Sequence, residues 1–210
     1  TCKDFVKAVG SADRANLQEM SSYPRVASMK TVDAFRARLS ELHLDLPCDD
    51  AVIPAPDSPM AQPLDVDGFR VGNRWVIHPM EGWDAEDDGT PSELVRRRWL
   101  NFGRSGAKWL WGGEAMAVTP EARANPNQVV IHESTRDALA RLLEDTVEAH
   151  RAAFGTADDL LTGFQLTHSG RFSKPRDKRR MEPLIAYHHP ILDRRFGISP
   201  DRPLLSDDDL

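Results

Sequence analysis

Apolar residues at Val32, Phe35, Leu39 and Leu42 recur at the three-and-four spacing of one helical face, and Thr31 stands where an N-cap belongs. The pattern predicts a helix over 31–42, preceded by a weaker one near 12–19. Residues 49–63 hold several prolines and little periodicity, which predicts a linker or an extended arm. Around Asp67-Gly68, residues 64–71 read as a hairpin. A strand follows at 74–78, then a helix over 92–103 bounded by Pro91 and Gly103. Residues 109–114 form a second strand, or one slightly longer, and 119–128 a polar loop rich in Asn and Pro. A long helix over 134–154 carries Leu139, Leu142, Leu143, Val147 and His150 on or near one face and stops at Gly155. The third strand is 160–167, with a long loop to Pro203. Short apolar strands alternating with helices predict a parallel α/β arrangement. There is no repeat at a fixed period.

All three strands share a design. In Trp75-Val76-Ile77-His78-Pro79-Met80-Glu81-Gly82, in Trp109-Leu110-Trp111-Gly112-Gly113-Glu114-Ala115 and in Phe164-Gln165-Leu166-Thr167-His168-Ser169-Gly170-Arg171, apolar residues come first and polar or small ones gather at the C-terminal end. Parallel β/α strands present an active site in this way. Pro79 ends the first strand because it has no ladder donor. Glu81 then sits on the rim, with Trp83 as an aromatic wall or as core. Gly112 and Gly113 end the second strand and permit close backbone approach by a ligand. Glu114 reads either as an acid or base or as a structural anchor. Gln165 offers a donor and an acceptor on one side chain, suited to a heterocycle that needs both. His168 reads as structural or supporting. The basic run 171–180 suits a phosphate-bearing substrate or a solvated face. His188 and His189, adjacent in the chain and without a carboxylate at matching spacing, do not make a metal site, and no metal is expected.

Composition narrows the class. The 210 residues carry 27 Lys+Arg against 33 Asp+Glu, a net charge of -6, which argues against a general nucleic-acid binder. No apolar run is long enough to cross a bilayer, and none near Thr1 resembles a signal peptide, so no membrane partner and a cytoplasmic location are expected. Cys2 and Cys48 are the two cysteines, and they read as free thiols in a reducing compartment rather than as a disulfide. Ser206-Asp207-Asp208-Asp209 has the character of a helix N-cap and acidic first turn, with Leu210 as the first apolar position. A start signal with nothing after it leads to the expectation that the chain is cut inside a larger fold.

Six motifs in order carry a family resemblance: Asn73-Arg74, Pro79-Met80, Asp88-Gly89-Thr90-Pro91, GGEAMAV from Gly112, PEARANPNQ from Pro120 and QLTHSGR from Gln165. Together they resemble the Old Yellow Enzyme family of FMN-dependent oxidoreductases, which includes 2,4-dienoyl-CoA reductases. The likeness covers residues 64–171 and continues more weakly to 210; residues 1–63 look like an N-terminal extension. The resemblance implies an eight-stranded (β/α) TIM barrel with FMN across the C-terminal ends of its strands, residues 64–210 being its N-terminal part. It implies that Pro79 and Met80 border the flavin ring, that Ala115 packs close to it, and that Gln165 bonds its pyrimidine edge. Trp83 matches an aromatic position that some relatives use for substrate contact. Glu81 departs from the family, whose members commonly have Thr or Cys after Pro-Met. Three readings of it stay open: a fixed negative charge that lowers the flavin potential, a protonated donor, or a side chain turned away to an arginine.

The implied reaction passes hydride from NADH or NADPH through the flavin to the β-carbon of an activated alkene, while an acid protonates the α-carbon. The substrate-carbonyl pair and the flavin-phosphate site of relatives lie beyond these strands, so the chain alone is expected to be inactive. Two rivals stand beside this reading. One is a barrel glycosidase using Glu81 and Glu114. The other is a non-catalytic half-barrel that needs a partner chain, a second copy being one form of partner.

Overall fold

Thr31 starts the first helix as its hydroxyl allows, accepting the Ala34 N–H at 3.1 Å. Helix α1 then runs Val32–Glu41 and buries Leu39. The computed structural model describes residues 24–209; the helix expected near 12–19, Cys2 and Leu210 lie outside them. Contacts divide the chain into two units, Thr1–Ile53 and Pro54–Leu210. In the first, Arg36 reaches from α1 to the Asp50 carboxylate at 2.5 Å and the Cys48 carbonyl at 2.6 Å.

The second unit opens with the expected hairpin. Strands β1 (Leu64–Val66) and β2 (Phe69–Val71) pair antiparallel, with Val66 opposite Phe69. The two residues between them, Asp67 and Gly68, have φ of 47° and 85°, the left-handed pair that a two-residue turn matched to strand twist requires. Strand β3 (Val76–Ile77), helix α2 (Glu93–Arg104), strand β4 (Trp109–Ala117), helix α3 (Arg136–Phe154) and strand β5 (Leu161–Thr167) follow in turn. The three strands form one sheet in the order β3-β4-β5, and both pairings are parallel. Neighbours in sequence are therefore neighbours in space. Val95 and Trp99 of α2, Leu139 and Leu142 of α3, Met116 of β4 and Val129 share one buried cluster, so both helices cover the same face. Such one-sided winding is common to a β/α barrel and to one half of a doubly wound sheet.

Two glycines do other work than their position in the sequence suggests. Gly103 does not end its helix, which continues to Arg104. A Cβ there would stand 2.4 Å from the Thr146 carbonyl oxygen, so the glycine lets α2 and α3 approach closely. The Gly112-Gly113 pair likewise lies inside β4 rather than at its end. Their φ values are 75° and 30°, and between Trp111 and Ala115 the register against β5 shifts: Trp111 faces Gly163, and Ala115 faces Gln165. Four residues of β4 thus span two of β5. The strand bulges and then resumes to Ala117.

The expected long loop after β5 is also corrected. It contains a 3-10 turn at Gly170–Phe172 and helix α4 (Pro190–Phe196), capped by His189, whose ring nitrogen accepts the Ile191 and Leu192 N–H groups. At Asp207–Asp209 the chain makes a 3-10 turn in which Asp209 accepts from the Ser206 N–H and hydroxyl, the reverse of the expected cap.

At the opposite end of the sheet from the strand tips, His150 of α3 is fully buried. One ring nitrogen lies 2.8 Å from the Gly103 carbonyl and the other 2.9 Å from Lys108 Nζ, which also donates to Asp159 at 2.7 Å. An ammonium has no acceptor, so Nε2 must accept and Nδ1 must carry the hydrogen. Burial pushes the imidazole below its ordinary pKa, and Lys108 adds to this against the opposing pull of Gly103 and Asp159. The folded state thus refuses a proton that the unfolded chain accepts, and the contribution is intact above the unfolded value. It falls away as pH drops below about 6.5 toward the folded value. Thermal melts from pH 7 to 5 are expected to show this loss, with a shallower slope in His150→Gln, which keeps a donor and an acceptor. Equal slopes would show that His150 takes no part.

Candidate functional site

The C-terminal strand tips meet through backbone contacts. As the chain leaves β3, the Met80 carbonyl accepts the Ala115 N–H at 3.3 Å, and Ala115 is the register partner of Gln165. Met80, just beyond β3, Ala115 of β4 and Gln165 of β5 therefore form one row. Gly112 makes this closeness possible, because a Cβ there would lie 2.7 Å from the Gln165 nitrogen and 3.2 Å from Pro79 Cβ. Ala115 is buried, Met80 is 74% exposed, and Gln165 is exposed with no side-chain partner among the described residues. Along the sheet face away from the helices runs an aromatic series: His78 lies 6.0 Å from Trp111, and Trp111 lies 6.2 Å from Trp109.

Beside the row, the chain turns through Glu81, Gly82 and Trp83. Trp83 holds a φ of 54°, a left-handed conformation costly for a bulky aromatic residue. Its indole N–H donates to Glu81 Oε2 at 2.9 Å. Glu81 pairs with no arginine among the described residues.

Glu114 is the most enclosed acid of the site, with no exposed surface. Its Oε1 accepts the Gly82 N–H at 2.8 Å, and its Oε2 lies 2.5 Å from Arg98 of α2, whose guanidinium also grips Asp84 at 2.5 and 3.0 Å. Burial pushes the Glu114 carboxyl up, and the Gly82 N–H and Arg98 pull it back down. Both oxygens are engaged and solvent is excluded, so the general acid or base of the glycosidase reading is instead an internal anchor.

Other residues settle into structural roles. His168 accepts the Gly170 N–H through Nδ1 at 3.0 Å. Arg171, from the basic run, is buried in an ion pair with Asp193 and donates to the Tyr187 carbonyl at 2.8 Å, so it is closed to a phosphate. Arg176 pairs with Glu182. His188 bonds Asp193 at 2.8 Å. No group of three metal-ligating side chains occurs among the described residues.

Two supports of the site escape a sequence reading. Gln128, in the polar loop, is fully buried: it donates to the Ala115 carbonyl at 2.9 Å and accepts the Ala124 N–H at 2.7 Å, bracing the centre of the row. Arg98 hides among three consecutive arginines, but it is three residues after Val95 and adjacent to Trp99, which turns it toward the buried side of α2. That spacing was the available signal; for Gln128 there was none.

No protein-family model matches the chain, and no curated protein matches it. Among solved structures, it is similar to the Old Yellow Enzyme from Pichia sp. AKU4542 at 16% identity, over 57% of this chain and 29% of that one, with a TM-score of 0.47. The Old Yellow Enzyme homologue from Zymomonas mobilis gives 21% identity, 61% and 33% coverage and a TM-score of 0.48. The Old Yellow Enzyme from Trypanosoma cruzi gives 22%, 63% and 36%, and 0.46. The similarity is partial and at low identity, spanning 29% to 36% of the length of these three structures. No helix among the described residues is long and apolar enough to cross a membrane.

Proposed function

We propose that residues 64–210 form the N-terminal part of a barrel oxidoreductase that holds FMN over the strand tips and reduces an activated alkene with NADH or NADPH. One observation carries this reading. Met80, Ala115 and Gln165, which the sequence resemblance marks as flavin neighbours, lie side by side through the Ala115 N–H bond to Met80 and the Ala115–Gln165 register.

The residues present fit a flat heterocycle. Ala115 and Gly112 keep the floor low, Pro79 and Met80 border it, and the Gln165 amide offers one donor and one acceptor at its edge. When bound, FMN would supply the redox chemistry, taking hydride from the nicotinamide and delivering it to the β-carbon of the alkene. The chain's own residues hold and orient. Trp83, 51% exposed, offers a ring face for substrate, and Glu81 places a carboxylate beside it. The site is proposed to act in the cytoplasm on a small molecule.

The test is the visible spectrum of the protein with its complete barrel, titrated with FMN and repeated for Gln165→Ala and Met80→Ala. A flavin band that is perturbed on binding, bleaches anaerobically with NADH or NADPH, and binds about tenfold more weakly on loss of the Gln165 hydrogen bonds is expected. Unchanged affinity in both variants would show that the flavin does not lie on this row. One observation favours the half-barrel reading as the second choice. Trp111, Trp75 and Leu166 are 44%, 57% and 60% exposed, so the sheet leaves apolar surface for further strands or a partner, a second copy included, to cover.

A further inference from the structure

We infer that Arg98, Asp84 and Glu114 act as one positioning clamp that holds the Glu81–Trp83 pair against the Met80–Ala115–Gln165 row. The inference deepens the flavin reading and rests on it for what the pair would face. The clamp itself rests on geometry alone.

The segment it holds has reason to move. On one side it is anchored by the two residues of β3 and by the Met80 carbonyl on Ala115, and it passes through a left-handed tryptophan at φ 54°. Such a conformation persists when its surroundings over-determine it. Here they do so from two elements. Helix α2 contributes Arg98, whose guanidinium spans Asp84 just after Trp83 and Glu114 on β4. Strand β4 contributes Glu114, which takes the Gly82 N–H between Glu81 and Trp83. Arg98 also lies so close over Gly82 that a Cβ there would come within 2.3 Å of its Nη2, which leaves the segment no room to rise. The planar fork of arginine suits two carboxylates at once, a geometry that lysine cannot copy. With Gly82 and Asp84 both held, Glu81 and Trp83 are fixed on either side of Gly82, and the 2.9 Å bond between them follows. Glu81 thereby keeps its carboxylate at the rim, beside the Trp83 indole. Arg98 and Glu114 touch neither substrate nor flavin in this arrangement; they act through Glu81 and Trp83.

The indole N–H resonance of Trp83, recorded on the 15N-labelled chain without flavin and identified by its absence in Trp83→Phe, reads the clamp directly. Glu81→Ala marks the position of that resonance when the bond is lost. Arg98→Ala is expected to move it toward the same position while the other four indole signals stay in place. Asp84→Ala, on the more exposed side of the clamp, is expected to move it in the same direction and serves if Arg98→Ala does not fold. Glu114→Gln, which keeps an acceptor for Gly82, is expected to move it less than Arg98→Ala. A Trp83 signal unmoved by Arg98→Ala in a folded chain, or by Asp84→Ala if Arg98→Ala is unfolded, would overturn the clamp. Adding FMN to the same variants of the protein with its complete barrel separates the two ideas. A clamp-dependent signal that never responds to FMN leaves the clamp standing and removes the flavin reading; the opposite result does the reverse.

Discussion

Glu114→Ala is expected to lower the stability of the second unit by about 3–5 kcal/mol, a fall in Tm of roughly 6–20 °C for a chain of this size. The size follows from what the substitution leaves behind. Arg98 keeps Asp84 but loses its buried inner partner, and the Gly82 N–H loses its acceptor. A guanidinium left with one carboxylate in place of two and an orphaned donor cost more than the modest net value of the bonds themselves. Replacing both partners in Glu114→Leu/Arg98→Met is expected to recover only part of the loss: the apolar side chains fill similar volume and remove the inner charge pair, but Asp84 loses its arginine and the Gly82 N–H still has no acceptor. Chemical denaturation of the two variants beside the parent chain checks both statements. A loss under about 1 kcal/mol for Glu114→Ala would mean that the carboxylate is not an internal anchor. Its role as a reacting acid, and with it the glycosidase reading, would then reopen.

Helices α1 and α3 and the hairpin were legible because each carries its own local signal: Thr31 as a cap, Gly155 in its left-handed stop, and Asp67-Gly68 between two short strands. What failed was every feature set by contact between distant segments. Gly103 looks like a helix stop, and only the nearness of Thr146, more than forty residues on, shows it to be a packing site. Gly112 and Gly113 look like the end of a strand, and only the register against Gly163 and Gln165 shows them to be a bulge that resumes. Helix α4 is short, and its cap is a histidine, a residue outside the usual capping set. Of the site, the strand-tip residues could be placed by order along the chain. Glu114, by contrast, admitted two readings, and its burial under Arg98 decides between them.

The Arg171–Asp193 pair was hidden in the same way, with twenty-two residues separating its members, and it governs how the segment after β5 is held. Asp193 lies at the centre of four contacts: the Arg171 guanidinium, the His188 ring at 2.8 Å, the His189 N–H at 3.1 Å and, through its own N–H, the His189 carbonyl at 2.8 Å. Around it the segment is tied down by single backbone bonds, Leu184 N–H to Gly170 and Leu205 N–H to Ile185, with no strand ladder to share the load. In Asp193→Ala the arginine stays buried with the Tyr187 carbonyl and ring as its remaining partners, a loss of about 3–5 kcal/mol for that segment. Opening should be local, because the main core of α2, α3 and β4 contains no residue of the segment. Amide hydrogen exchange separates local from global opening. Protection at Leu184 and Leu205 is expected to fall by roughly two to three orders of magnitude, capped at whatever protection the parent chain has there, while Met116 in β4 keeps its own. An equal fall at all three amides would mean that the segment and the sheet open as one unit. No change at Leu184 would mean that the ion pair does not hold the segment at all. Asp193→Asn separates charge from hydrogen bonding. It retains an acceptor for the His189 N–H but not the ion pair, so its loss of protection should fall between those of the parent and the alanine variant.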